Sequence, residues 1–192
     1  MKAVPVGQGA MAAIMGLNRD AIERICGEVT DGGGRVVAPA NLNAPGQTVV
    51  SGHAAAVEKA IALCEQRGAR RAVKLQVSAP FHCPLMGPAA SRLAADLDRI
   101  RFNDLDVPLV TNVNAKPVRA GEEARRALVE QVTAPVNWEG GVRTLAAMGV
   151  DRALEVGPGR VLAGLIKRIE PGIACAPAGD VAAIRSAKEF LS

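Results

Sequence analysis

The first 78 residues alternate strand-like and helix-like segments in an order that few folds accommodate. Residues 11–16 read as a short apolar strand. Asn18 or Asp20 can cap a helix in which Ala21, Ile22, Ile25 and Val29 recur at spacings of three and four, and Gly32-Gly33-Gly34 ends it. Residues 36–41 and 47–51 read as two strands around Asn43-Ala44-Pro45-Gly46. Proline presets φ and glycine accepts φ > 0, so the pair predicts a hairpin. Residues 54–67 predict a helix with Val57, Ile61, Leu63 and Cys64 on its apolar side, ended by Gly68, and residues 71–77 a fourth strand. The order βαββαβ is that of a ferredoxin-like split unit, assigned to residues 1–78.

The remaining residues, 79–192, are organised differently. Residues 84–100 predict a helix through Leu85, Leu93, Leu97 and Ile100, and residues 107–112 a strand. Helices follow at 121–132 and 138–148, then a strand at 152–156. A further helix runs from Gly157-Pro158-Gly159 to Ile169, followed by a strand at 173–176 and a terminal helix from Asp180. Strands alternating with helices imply a parallel sheet covered on both faces. Three strands are few for an independent doubly wound sheet, so this portion is expected to be a piece of a larger one. The fold class expected is α/β.

Composition narrows the function. Residues of hydrophobic type make up 49% of the chain but aromatics only 2%, with no Tyr, so Ala, Val, Leu and Ile carry the core, which argues against a surface for stacking single-stranded bases. A net charge of +4 is a mild excess that suits anionic partners without being a nucleic-acid signature. The four cysteines are scattered, with no C-x-x-C, and the start lacks the apolar run of a signal peptide, which suits a reducing cytoplasm. Two histidines and no Cys/His cluster argue against a zinc site, and no apolar run approaches the roughly 20 residues of a membrane span.

His82 stands in Ser78-Ala79-Pro80-Phe81-His82-Cys83-Pro84, after a predicted strand and between two prolines in a turn leading to a helix. α/β scaffolds present functional groups at such turns. A histidine there can act as a general base near neutral pH; it can equally be a neutral, hydrogen-bonded structural side chain.

Five strings, in order, resemble malonyl-CoA:acyl carrier protein transacylases and the related acyltransferase domains of fatty acid and polyketide synthases. They are G-A-M-A-A-I-M-G-L at 9–17, N-L-N-A-P-G-Q-T-V-V-S-G at 41–52, residues 77–86 around His82, residues 132–138, and E-V-G-P-G at 155–159. In that family a serine in a G-H-S-x-G elbow is acylated by malonyl-CoA, with a histidine as its base. The acyl group then passes to the phosphopantetheine thiol of acyl carrier protein. The resemblance implies that His82 is that base and that Gln131 orients it through a backbone carbonyl. It implies that Asn41, Asn43 and Gln47 line the mouth of the acyl and pantetheine channel. Arg70 and Arg71 would lie near the coenzyme A phosphates, which suit the bidentate guanidinium. Phe81 would fill the space that a C2 methyl needs, favouring malonyl. Read alone, Asn43 and Pro45 are turn formers, Gln131 a helix end and the arginine pair a solvated strand edge. Gly157-Pro158-Gly159 reads as a strand-to-helix turn rather than a phosphate loop.

The chain departs from the family pattern in one decisive respect, since it contains no G-x-S-x-G. The family's N-terminal glutamine loop and malonyl-binding arginine also have no match. Ser51 belongs to the predicted hairpin with His53 too close along the chain, and Cys83 and His82 are adjacent on extended backbone, where side chains point apart. The expectation is therefore the C-terminal portion of a transacylase, a ferredoxin-like subdomain joined to the distal part of an α/β-hydrolase-like core, inactive by itself. Malonyl-CoA and acyl carrier protein are the expected partners. No metal or cofactor is expected, coenzyme A thioester and phosphopantetheine being substrates, and the complete protein is expected to be a monomer. A non-catalytic ligand- or partner-binding module is the rival reading.

Overall fold

The computed structural model describes residues 4–5, 7–30 and 34–191. Its first part runs β1 (Gly9–Met15), α1 (Arg19–Val29), β2 (Val37–Ala44), β3 (Gln47–His53), α2 (Ala54–Gln66) and β4 (Arg71–Lys74), and the strands form one antiparallel sheet in the order β2-β3-β1-β4. Asn18 is the residue that caps α1, accepting from the Ala21 N–H at 2.9 Å. Gly32 and Gly33, predicted to stop that helix, lie outside the described residues. The hairpin is tighter than expected. Pro45-Gly46 alone reverse the chain, with Gly46 at φ +70°, so β2 continues through Ala44, which pairs with Gln47. β4 is shorter than residues 71–77: Leu75 N–H still donates to the Met11 carbonyl, but Val77 N–H turns back to the Leu75 carbonyl.

Helices α1 and α2 cover one face of this sheet. Ala10, Ala12, Ile14, Val37 and Val50 from the strands pack there against Ile22, Ile25, Val29, Val57, Ala60 and Cys64. Each buried Ile or Val contributes about 1.5–3 kcal/mol, while the alanines let helix and sheet backbones approach closely. Successive strand residues alternate faces, so Met11, Ala13, Val49 and Gln47 belong to the opposite face. Met11, Ala40 and Val49 form a second, smaller cluster there, joined by Ala13 and Leu75.

The second part begins with a 3-10 turn at Pro84–Met86 and α3 (Gly87–Leu97). It continues through β5 (Leu109–Val110), β6 (Pro117–Val118), α4 (Gly121–Gln131), α5 (Trp138–Ala147), β7 (Arg152–Val156), α6 (Val161–Ile169), β8 (Ala174–Ala178) and α7 (Val181–Leu191). The expected three-stranded parallel sheet does not form. Among the strands of this part in the described residues, β7 and β8 pair parallel and β5 pairs antiparallel with β6. The cause is a turn after β5: Thr111 N–H donates to the Lys116 carbonyl at 3.0 Å, Ala115 takes φ +55°, and the Asn114 side chain accepts from the Thr111 hydroxyl and the Lys116 N–H. The architecture is α/β, with mixed sheets and helices.

The two parts meet on β2. Val136 exchanges backbone hydrogen bonds with it, Leu42 N–H to the Val136 carbonyl and Val136 N–H to the Ala40 carbonyl, both 2.8 Å. Ala44 packs into a core made by Val142 of α5, Leu165, Ile166 and Ile169 of α6, and Ile173.

Candidate active site

His82 occupies a turn anchored from below. Pro80 is fully buried, and its ring lies on Gly9 at the start of β1, so closely that a Cβ at residue 9 would collide with it. His82 has φ +58°, a left-handed backbone that residues with a Cβ rarely adopt. Cys83 is buried, and its thiol donates to the Pro80 carbonyl at 3.1 Å. Burial pushes the Cys83 pKa up, more than the neighbouring Ser51 hydroxyl and the Leu85 and Met86 N–H groups oppose, so the sulfur stays protonated and is no nucleophile.

The His82 Nδ1 lies 2.9 Å from the carbonyl oxygen of Gln131. A carbonyl only accepts, so Nδ1 carries a proton, and in the neutral ring Nε2 has the lone pair. Gln131 is the last residue of α4, where carbonyls have no intrahelical partner and the negative end of the helix dipole favours a cation. The Gln131 side-chain amide nitrogen lies 3.5 Å from the same Nδ1, farther than the carbonyl, and donates to the Ala134 carbonyl at 2.7 Å, while its buried Oε1 has no partner among the described residues. Gln131 also borders an apolar cavity of about 300 Å³ lined by Phe102, Leu105, Leu109, Ala124 and Leu128.

Strand register relates the other candidates. Gln47, Met15 and Arg71 stand opposite one another across β3, β1 and β4, and Asn41 stands opposite Val49. Directly opposed residues share a face, so Asn41, Gln47 and Arg71 lie on the face opposite α1 and α2. Ser51, beside the Cys83 thiol, belongs to that face too. Asn43 is half-buried at a bulge of β2. Arg70 precedes β4, its N–H bound to the Met15 carbonyl, and both arginine side chains are exposed without an ion pair among the described residues. Phe81 is 40% exposed beside His82. Ser51 is completely buried and His53 Nδ1 accepts from the Val36 N–H at 2.9 Å, so neither is free to act as a nucleophile or base.

Two contributors escape sequence reading. Arg168 of α6 donates to the Gln47 side-chain oxygen and, at 3.2 Å, to the Pro45 carbonyl, which ties the Gln47 side chain and the hairpin turn to α6. No signal links positions 121 residues apart. Glu155, inside a string noted in the sequence, accepts from the Leu162 and Ala163 N–H groups at 3.0 and 2.8 Å at the start of α6. Those bonds hold its carboxyl below the usual range. Residues 157–160 are the strand-to-helix turn between β7 and α6, as expected. Among the described residues no group of three or more His, Cys, Asp or Glu could hold a metal, and no helix is long and apolar enough to cross a membrane.

Together these features define an α/β protein that holds one imidazole in a fixed tautomer against a helix-terminal carbonyl. The acyl transferase domain profile matches residues 1–179, and the chain belongs to that family. The malonyl CoA-acyl carrier protein transacylase of Escherichia coli strain K12 is 47% identical over 189 residues, covering 98% of this chain and 60% of that protein. The solved transacylase of Coxiella burnetii superposes with a TM-score of 0.93 at 42% identity, over 99% of this chain and 60% of that one. A type II PKS acyl-carrier protein in complex with its malonyl-transacylase gives a TM-score of 0.93 at 45% identity, over 98% of this chain and 60% of that chain. The chain thus spans about 60% of the length of the curated relatives it matches.

Proposed function

We propose that this chain carries the general base and part of the substrate channel of a malonyl-CoA:acyl carrier protein transacylase. The observation that carries the reading is the bond of 2.9 Å between His82 Nδ1 and the Gln131 carbonyl, which leaves Nε2 as a proton acceptor. In the first half-reaction a serine hydroxyl loses its proton to Nε2 as its oxygen attacks the malonyl thioester carbon. The C–S bond breaks, and the coenzyme A sulfur leaves with the proton that His82 returns. In the second half-reaction the phosphopantetheine thiol repeats the exchange on the acyl-serine. The Gln131 carbonyl and the α4 dipole stabilise the imidazolium in between. Coenzyme A and phosphopantetheine enter as substrates, with no resident cofactor.

The sheet face shared by Asn41, Gln47 and Arg71 supports a role in binding an extended thiol-bearing arm. Along β1, Met11 and Met15 are about 13 Å apart, four residues at about 3.3 Å each. Met11 stands opposite Ser51, the neighbour of Cys83, and Met15 stands opposite Gln47 and Arg71. We assign residues 1–78 as a ferredoxin-like subdomain, supported by the antiparallel order β2-β3-β1-β4 with both helices on one face. Residues 79–192 are assigned as the distal part of an α/β-hydrolase-like core, supported by the parallel β7–β8 pair. The serine has no counterpart here, since no G-x-S-x-G occurs among the 192 residues and Ser51 is sealed.

A chimera in which these residues replace the matching stretch of the Escherichia coli relative tests the reading. It should transfer radiolabelled malonyl from coenzyme A to acyl carrier protein, and His82→Ala within it should lose roughly 10²–10⁴-fold in rate while remaining folded. A folded chimera without transfer, or a His82→Ala variant of undiminished rate, would overturn it and favour a binding module.

A further inference from the structure

We propose that Cys83 is a positioning residue for His82: its buried thiol, latched to the Pro80 carbonyl, sets the left-handed turn that carries Nδ1 to the Gln131 carbonyl. The inference rests on the reading of His82 as the base and extends it by one layer. A residue with a Cβ does not settle at φ +58° on its own preference, so the surroundings must hold it there. The Cys83 Sγ–H···O=C bond closes the loop across Phe81 and His82. Its acceptor is fixed in turn, because the Pro80 ring is fully buried against Gly9, the first residue of β1, which is paired with His53 of β3. A rigid strand thus fixes Pro80, Pro80 fixes the thiol, and the thiol fixes the histidine backbone. Burial keeps the sulfur protonated and so able to donate.

The chain offers its own spectroscopic control, since it has only two histidines and their hydrogen bonds demand opposite tautomers. His53 Nδ1 accepts from Val36 N–H and must carry its proton on Nε2; His82 Nδ1 donates and must carry it there. Long-range ¹H–¹⁵N correlation spectra of the 192-residue protein, at a pH where both rings are neutral, should show this pair. In Cys83→Ala the His82 Nδ1–H signature should be lost while His53 is unchanged. Cys83→Ser, which keeps a donor, should restore it. A His82 tautomer unchanged in the alanine variant would overturn the proposal. If the alanine variant loses the His53 signature as well, the serine variant decides, and a folded serine variant without the His82 Nδ1–H signature would also overturn it. None of these spectra depends on acyl transfer. A chimera that transfers nothing but keeps both tautomers would remove the role of His82 as base and leave the latch intact. In an active chimera, Cys83→Ala should lower kcat about 10- to 100-fold with KM little changed, because a displaced base weakens the transition state rather than the binding of substrate.

Discussion

At the scale of single residues, the position of His82 between two prolines identifies a turn, and the turn is where the structure has it. What holds the imidazole was legible only through resemblance, because a backbone carbonyl leaves no mark on residue type. The Cys83 latch was not legible at all, since adjacent residues on extended backbone point apart and only the left-handed turn at His82 brings the thiol back to Pro80. Phe81 belongs to the same turn, 40% exposed beside the imidazole. Replacing its ring with serine in the chimera should raise methylmalonyl relative to malonyl transfer. One methyl in an apolar pocket is worth about 1–3 kcal/mol, so a modest shift is expected rather than a reversal. Competition between the two thioesters measures it, and equal ratios in parent and variant would assign selectivity to other residues.

At the scale of elements, β7 matched the expected residues 152–156, whereas β5 shrank from six residues to two. A strand needs a partner, and the turn closed by Thr111 and Asn114 gives β5 only β6, leaving Val107 72% exposed. The join between β7 and α6 carries a pH-dependent contribution. Folding lowers the Glu155 pKa through two backbone N–H donors, so the carboxylate stabilises the fold at every pH above its unfolded value. That stabilisation is lost as pH falls through the depressed folded value. Denaturation midpoints of wild type and Glu155→Gln should therefore differ at neutral pH and converge in acid; a constant gap would mean that the carboxylate charge is not what matters. The loop and strand bearing Arg70 and Arg71 make a second case at this scale. Neutralising both in the chimera should raise KM more than it lowers kcat and flatten the dependence of KM on salt, as loss of a uniform phosphate contact requires. An unchanged salt profile would return the pair to a solvated strand edge.

At the scale of the whole molecule, the two parts are unequally built. Residues 9–74 form a four-stranded sheet with a continuous core beneath two helices, while β5–β6 and β7–β8 are two-stranded and Val156, Val161 and Val181 are 79%, 70% and 67% exposed. Amide hydrogen exchange should accordingly be slowest in β1, β3, α1 and α2 and faster through β5 to β8. Equal protection across both parts would show that they unfold as one unit. Incubated with radiolabelled malonyl-CoA, the 192-residue chain should take up no covalent label, since Ser51 and Cys83 are buried and no G-x-S-x-G occurs in the sequence. A stoichiometric label would reveal a nucleophile outside this scheme.

The edges of the larger sheet bear on how copies of the chain avoid one another. An exposed strand edge is a template for joining another chain, and both edges here are blunted. On one side, Val136 occupies the backbone of β2 from Ala40 to Leu42, and Pro39 just before it offers no N–H. On the other, β4 is only four residues long and carries Arg71 and Lys74 at its ends. In the β7–β8 ribbon Pro177 blunts the β8 edge, but β7 beyond Arg152 has no partner except β8 among the described residues, and Val156 is exposed at its end. Strand-by-strand aggregation of this chain should therefore begin at that ribbon, leaving the sheet beside the histidine turn out of the growing fibre.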